Sequence, residues 1–210
     1  MLLARGLRPC DHSVEEVTVE SHWGRLFRQG MLAVTFFAAV LLSGLMYSLF
    51  WVAPEGDAGK QWLVHWRPLL LRNAWTQTPT VSPHNVKEWQ QQGWTVWFVD
   101  VRTDEERSVS IIPGAMTPEE YANRVLSDSP DYVVAYCTIG IRSGQWVDQH
   151  QAIEPAALNL EGGILGWTHS RGTLVEPGRQ RGRQKQSMTR RVHVQAPYWN
   201  LVAEGYEGVW

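Results

Sequence analysis

Cysteine is scarce in this chain: two residues among 210, too few for a disulfide framework. Its seven histidines are scattered without the close spacing of a ligand set, so no metal and no other cofactor is expected. Neither sign of charge prevails. Lys and Arg number 19 against 21 Asp and Glu, a formal charge of −2, and no overall field points to nucleic acid as a partner. Charge is missing altogether from Met31 to Ala53. What the chain has in quantity is tryptophan, with 12 residues.

The charge-free run is apolar and about the length a helix needs to cross the hydrocarbon core. Trp23 precedes it, and Tyr47 and Trp51 lie near its far end, as interface aromatics would. A cleaved signal peptide fits less well, because the polar lead-in is long and no Ala-x-Ala pattern comes after it. The sequence therefore predicts a single-pass membrane protein with the bilayer as a partner through residues 31–53. Arg25 and Arg28 before the run and Lys60, Arg67 and Arg72 after it do not fix which side the rest of the chain occupies. Residues 1–30 read as a polar tail and residues 54–75 as a membrane-proximal linker. Within that linker, Gln61–Leu71 is apolar but interrupted by Arg67 and Pro68. It suits either the membrane surface or packing against the soluble domain.

From Thr78 the pattern alternates. Thr80-Val81, Thr95–Val99, Tyr132–Tyr136 and Ala157–Leu160 read as short buried strands. Helices are predicted between them: one opening on Ser82-Pro83 and stopping at Gly93, one opening on Thr117-Pro118, one after Tyr136, and a short one at Gly163–Ser170. The expected fold class is α/β, with a mostly parallel sheet covered on both faces. Residues 171–191 are basic and read as a solvated loop, with contact to anionic lipid as a second use. The aromatic tail, Tyr198-Trp199 and Tyr206 to Trp210, is expected to fold back on the domain.

The strand Tyr132–Tyr136 delivers Cys137, and Thr138-Ile139-Gly140-Ile141-Arg142 leads on to Ser143, read as the N-cap of a helix. Open α/β sheets take their ligands at such strand ends. A helix N-terminus favours an anion, and the thiolate is the reactive form of cysteine. Arg142 adds a permanent cation. The loop thus reads as a cradle for a thiolate or an anion borne on it, whereas a lone Cys at a strand end is more often a small buried hydrophobe.

Cys-x-x-Gly-x-Arg-Ser after a Val-rich strand resembles the active-site loop of the rhodanese family of sulfurtransferases. Three further segments resemble that family in the right order: Val99-Asp100-Val101-Arg102 with Glu105-Glu106, Ile112-Pro113-Gly114-Ala115, and Leu160 to Trp167 with Gly162-Gly163. The resemblance covers roughly residues 76–175, leaving 176–210 as a basic loop and aromatic extension. Ser110-Ile111 stands where the family often has Gly-His, which changes that loop.

The resemblance implies a persulfide mechanism. Cys137 would take sulfane sulfur from a small-molecule or protein donor and pass it to a thiol acceptor, in two covalent steps. Thr138, Ile139, Gly140, Ile141 and Ser143 would form the anion-binding loop with Arg142. Asp100 would support it from the neighbouring strand end, and Arg102 would pair with Glu106. Gly140 would let the loop curl where a Cβ clashes, and Gly162, Gly163 and Trp167 would serve turns and packing. Two rivals share the fold. A phosphatase resembles Cys-x5-Arg, one residue longer than the four between Cys137 and Arg142, and so fits less well. The other is a catalytically weak rhodanese-like module tethered to the membrane for binding or regulation. No feature selects among thiosulfate, mercaptopyruvate or a protein persulfide as donor.

Overall fold

The computed structural model describes residues 22–51, 56–71, 78–151, 156–177 and 187–210. Cys10, the centre of the basic loop and most of the N-terminal tail lie outside the described residues. The chain divides into two units, Met1–Leu45 and Met46–Trp210.

The first unit is described from helix α1, His22–Trp51, which begins inside the residues read as tail. Its stretch Phe27–Ser48 is long and apolar enough to cross a membrane, with a mean hydropathy of 1.9 and none of it buried. The hydroxyls of Thr35 and Ser43 donate to Leu32 O and Val40 O, each at 2.9 Å, so they bring no unpaired polar group to that surface.

Past the end of α1, the second unit continues with α2, Asp57–Leu71. This segment fitted two sites by sequence. In the structure it packs on the domain: Leu63 and Val64 are buried in the core, and Arg67 Nη1 donates to Tyr198 O at 2.7 Å. Trp62 and Trp66 stay exposed. The elements after it are β1 (Thr80–Val81), α3 (Pro83–Gln91), β2 (Val96–Asp100), α4 (Asp104–Val109), α5 (Pro118–Arg124), β3 (Tyr132–Tyr136), α6 (Ile141–Gln149), β4 (Ala157–Leu160) and α7 (Gly163–His169). The four strands form one parallel sheet in the order β1-β4-β3-β2, so the expected α/β architecture is present.

Side chains alternate across that sheet as the pleat requires. Trp97 and Val99, Val133 and Ala135, and Ala157 face one cluster, closed by Tyr121 of α5 and Val147 of α6. Phe98, Val134, Tyr136, Leu160 and Val81 face the other, closed by Val86 of α3, Ile164, Leu165 and Trp167 of α7, and α2. Helix starts obey local chemistry. Thr103 and Glu106, and Thr117 and Glu120, each make a reciprocal capping box, and Ser82 caps α3 with Pro83 in its first turn.

Past α7 the chain forms β5 (Leu174–Val175), antiparallel to β6 (Met188–Thr189), and then β7 (Arg191–His193), parallel to β8 (Glu207–Val209). The tail does fold back: Val192, Val194, Leu201 and Val202 join the second cluster, each 3 % exposed or less.

Candidate active site

β3 ends at Tyr136, and the chain turns through Cys137–Gly140 into α6. The helix begins at Ile141 with Gly140 as its N-cap, not on Ser143. Ser is the better cap by side chain, but position 140 has φ +96°, and an added Cβ there would sit 3.3 Å from Leu160 O. Ser143 lies in the first turn of α6, fully buried, and its hydroxyl donates to Asn159 Oδ1 at 2.7 Å, a clamp on β4. Asn159 Nδ2 in turn donates to Gly140 O at 2.9 Å. Asn159 was missed by sequence reasoning; the available signal was an amide inside the apolar strand Ala157–Leu160.

Cys137 is 1 % exposed, and its Sγ accepts the Gly140 N–H at 3.1 Å. Helix α7 holds the loop from beneath: Ile164 N–H donates to Cys137 O at 2.8 Å and Leu165 N–H to Thr138 O at 3.2 Å. That contact needs Gly163, where a Cβ would fall 2.4 Å from Cys137 O. Ile139 packs into the core and Ile141 is half-buried against it.

The expected pair of Arg102 with Glu106 is not the one formed. Arg102 is locked on Asp100, from Nε to Oδ1 at 2.9 Å and from Nη2 to Oδ2 at 2.7 Å, with both side chains fully buried. Asp100 also accepts the Tyr136 hydroxyl at 2.7 Å, and that hydroxyl accepts Ile112 N–H at 3.1 Å. Burial and the Asp100 charge push the Tyr136 phenol well above its ordinary value. Among the described residues Asp100 therefore reaches the loop through Tyr136, the residue before the cysteine.

Glu106 belongs to Arg142. Nη2 donates to Oε1 at 2.7 Å and Nη1 to Oε2 at 2.8 Å, a bidentate fork. The reason is the turn at Thr103, whose extended backbone starts α4 and carries Glu106 away from Arg102 to the Cys137 loop. Glu106 also accepts Thr138 Oγ1–H at 2.7 Å and Thr103 N–H at 3.1 Å, with its side chain only 2 % exposed. Burial pushes this carboxyl up, but the Arg142, Thr138 and Thr103 bonds outweigh it and bring it down to about 2. The same bond to Glu106 raises Arg142 against burial, and the nearby Cys137 sulfur adds to that rise.

Cys137, Ile139, Ile141 and Arg142 line a cavity of about 230 Å³ together with Gln195 and Trp199. The last two come from the C-terminal segment and had no local sequence signal beyond its aromatic content. Gln195 Nε2 donates to Glu106 Oε1 at 3.3 Å. Among the described residues no group of His, Cys, Asp and Glu could hold a metal ion.

A cysteine at a parallel-strand end, in front of a helix N-terminus and receiving a backbone N–H, is the arrangement of a thiol-based anion site on an α/β sheet. Residues 82–170 match the family of the rhodanese-like domain, so the chain carries such a domain over those residues. Solved structures resemble it too. A thiosulfate sulfurtransferase from Pseudomonas aeruginosa is 22% identical over 60% of this chain, with a TM-score of 0.43, and the match spans only 25% of that enzyme. A rhodanese-like domain protein from Staphylococcus aureus is 28% identical over 43% of this chain and 91% of its own, with a TM-score of 0.37. A protein from Staphylococcus saprophyticus is 30% identical over 41% of this chain and 90% of its own, with a TM-score of 0.34. Among curated proteins none matches the chain.

Proposed function

We propose that the protein is a membrane-anchored sulfurtransferase that moves sulfane sulfur through a persulfide on Cys137. The observation that carries this reading is the Gly140 N–H directed at Cys137 Sγ at 3.1 Å, at the start of α6. It offers a donor and the positive end of a helix to a sulfur anion. In the first step the Cys137 thiolate attacks the donor's outer sulfur, and the donor's remainder departs with the electron pair of the broken bond. In the second, an acceptor thiolate takes that sulfur and Cys137 returns to its thiolate. Arg142, fixed by Glu106, is a positioned charge beside the sulfur. α1 serves as the anchor.

The test is intact-mass spectrometry of the full chain in detergent, exposed to sulfur donors and then to cyanide or a thiol. Gain of one sulfur on Cys137, lost on adding acceptor and absent in Cys137→Ser, is the expected result. Carbonate extraction tests the anchor: release of the chain from membranes would sink it, and an N-terminal sequence beginning beyond Ser48 would make α1 a signal sequence.

One observation favours a second reading, a binding or regulatory module: Cys137 is almost wholly enclosed. If no donor loads the wild-type cysteine in a folded chain, that reading replaces the first.

A further inference from the structure

The cavity over Cys137 is completed by residues outside the segment that matches the rhodanese-like family. We propose that the C-terminal segment sets donor choice: Trp199 and Gln195 finish a near-neutral, largely apolar pocket that takes the carbon body of an organic persulfide, R–S–SH, in preference to inorganic thiosulfate. This rests on the persulfide-transfer reading and names its substrate class.

Charge is the first ground. Thiosulfate is a small dianion whose sulfonate needs cations or several donors when taken from water. The cation in this wall is Arg142, and both of its terminal nitrogens are engaged with the Glu106 carboxylate. The pair sums to zero, so the wall offers a dianion little compensation. Asp100 and Arg102, buried beneath the loop, cancel in the same way, and the Arg67 guanidinium lies behind the Trp199 ring, where it donates to Tyr198 O.

Shape is the second. Ile139, Ile141 and the Trp199 ring give the cavity three apolar walls. At about 30 Å³ per water it has room for roughly eight waters, more than a compact five-atom ion fills. A carbon chain gains by covering those walls, and an aromatic face adds contact beyond simple burial.

The third ground is construction. Gln195 is a non-glycine residue held at φ +63°, a conformation side chains seldom adopt. Its neighbours enforce it: Val194 N–H donates to Val209 O, Ala196 N–H to Val194 O, and Gln195 N–H to His193 Nδ1. Strain maintained in this way marks a position where the side chain's direction matters. Here it delivers an amide to the Glu106–Arg142 pair at the cavity rim, a neutral hydrogen-bonding handle suited to the polar groups of a cysteine-like donor. Trp199 is fixed from behind by the Arg67 guanidinium, 5.2 Å from its ring centre.

Transfer then balances simply. Cys137 thiolate attacks the outer sulfur of R–S–SH, an Sγ–S bond forms, the donor's S–S bond breaks, and RS⁻ leaves with the electron pair. The proton stays on the transferred sulfur, and no external oxidant or reductant is needed.

The experiment compares loading rate constants of Cys137 for cysteine persulfide and for thiosulfate, using the full chain in detergent and intact mass. The quantity read is the ratio of the two constants. It is expected to fall about tenfold in Trp199→Ala, as the loss of an aromatic contact allows. It is expected to fall about fivefold in the exposed Gln195→Lys, there because a net positive wall speeds thiosulfate. Gln195→Lys keeps the test decisive if Trp199→Ala folds poorly. A ratio unchanged in the folded variants, or a wild type that favours thiosulfate, overturns the inference while leaving sulfur transfer intact. Failure of both donors to load folded wild type overturns the transfer reading, and this inference with it.

Discussion

On one face of the sheet, Trp97, Val99, Val133, Ala135 and Ala157 pack beneath Tyr121 and Val147, and every one of these residues lies within 82–170. On the other, Phe98, Val134, Tyr136 and Leu160 share their cluster with Leu63 and Val64 from before that segment and with Leu174, Val192, Val194, Leu201 and Val202 from after it. The first face is closed by the rhodanese-like domain itself. The second borrows its cover from both flanks of the chain, and it is also the face that carries Tyr136, Ile139 and the cavity over Cys137. The parts of the core that lie outside the matched segment are therefore concentrated on the side of the site, while the opposite face holds the frame.

The largest expected effect comes from removing a borrowed part. A chain beginning at Gly56 should unfold in one cooperative thermal transition, whereas one beginning at residue 76 should lose it. Leu63 and Val64 are each worth roughly 1.5–3 kcal/mol when buried, against a total stability of about 5–15 kcal/mol for a domain. Full cooperativity from residue 76 onward would show that the second face closes without α2.

Next comes the carboxylate that joins the site to its flank. Glu106 has its folded-state value depressed, so its stabilisation is complete above about pH 4.5 and is lost as pH falls toward about 2. Denaturant midpoints measured across that window should drop, by on the order of 3 kcal/mol in stability for this group. Glu106→Gln should be less stable at pH 7 and should lose that part of the acid dependence. An unchanged acid profile would mean the fork to Arg142 contributes little.

Core truncations then compare the faces directly. Leu201→Ala, in the borrowed cover, should cost about 3 kcal/mol, and Val147→Ala, in the self-contained face, about 2 kcal/mol. Urea titration measures both, and a cost below about 1 kcal/mol at Leu201 would detach the C-terminal segment from the core. The smallest effect belongs to Arg191→Ala. Its pair with Glu207 is 3.9 Å long and exposed on both sides, so removal should stay within about 0.5 kcal/mol.

The frame was legible because its signals are local. Val96–Asp100 and Tyr132–Tyr136 are short continuous apolar runs buried almost throughout, and Ser82-Pro83 and Thr117-Pro118 announce their helices. The Cys137 loop was legible as a unit, but its partners were not. Arg102 and Glu106, four residues apart, look like an ion pair until the extended Thr103 separates them, and only the folded chain brings Glu106 to Arg142. The start of α6 shifted to Gly140 because a tertiary clamp from Asn159 outweighs the capping preference of Ser143. Pro68 suggested a break, yet it lies inside α2, where packing on the domain decides. Gln195 and Trp199 carry no local pattern, since what places them is the return of the tail.

Among the loop's backbone groups, Cys137 O and Thr138 O are taken by α7, and Gly140 O by Asn159 and by Gly144 N–H. These three carbonyls are thus occupied elsewhere, while the Gly140 N–H remains on the sulfur. The loop works as a backbone rectifier: its electropositive side is set by peptide geometry and not by a titrating group. Such a field has no midpoint. It can be switched off neither by acid nor by alkali short of unfolding, and salt, which screens Arg142 at its partly exposed edge, leaves this inner part of the field nearly untouched.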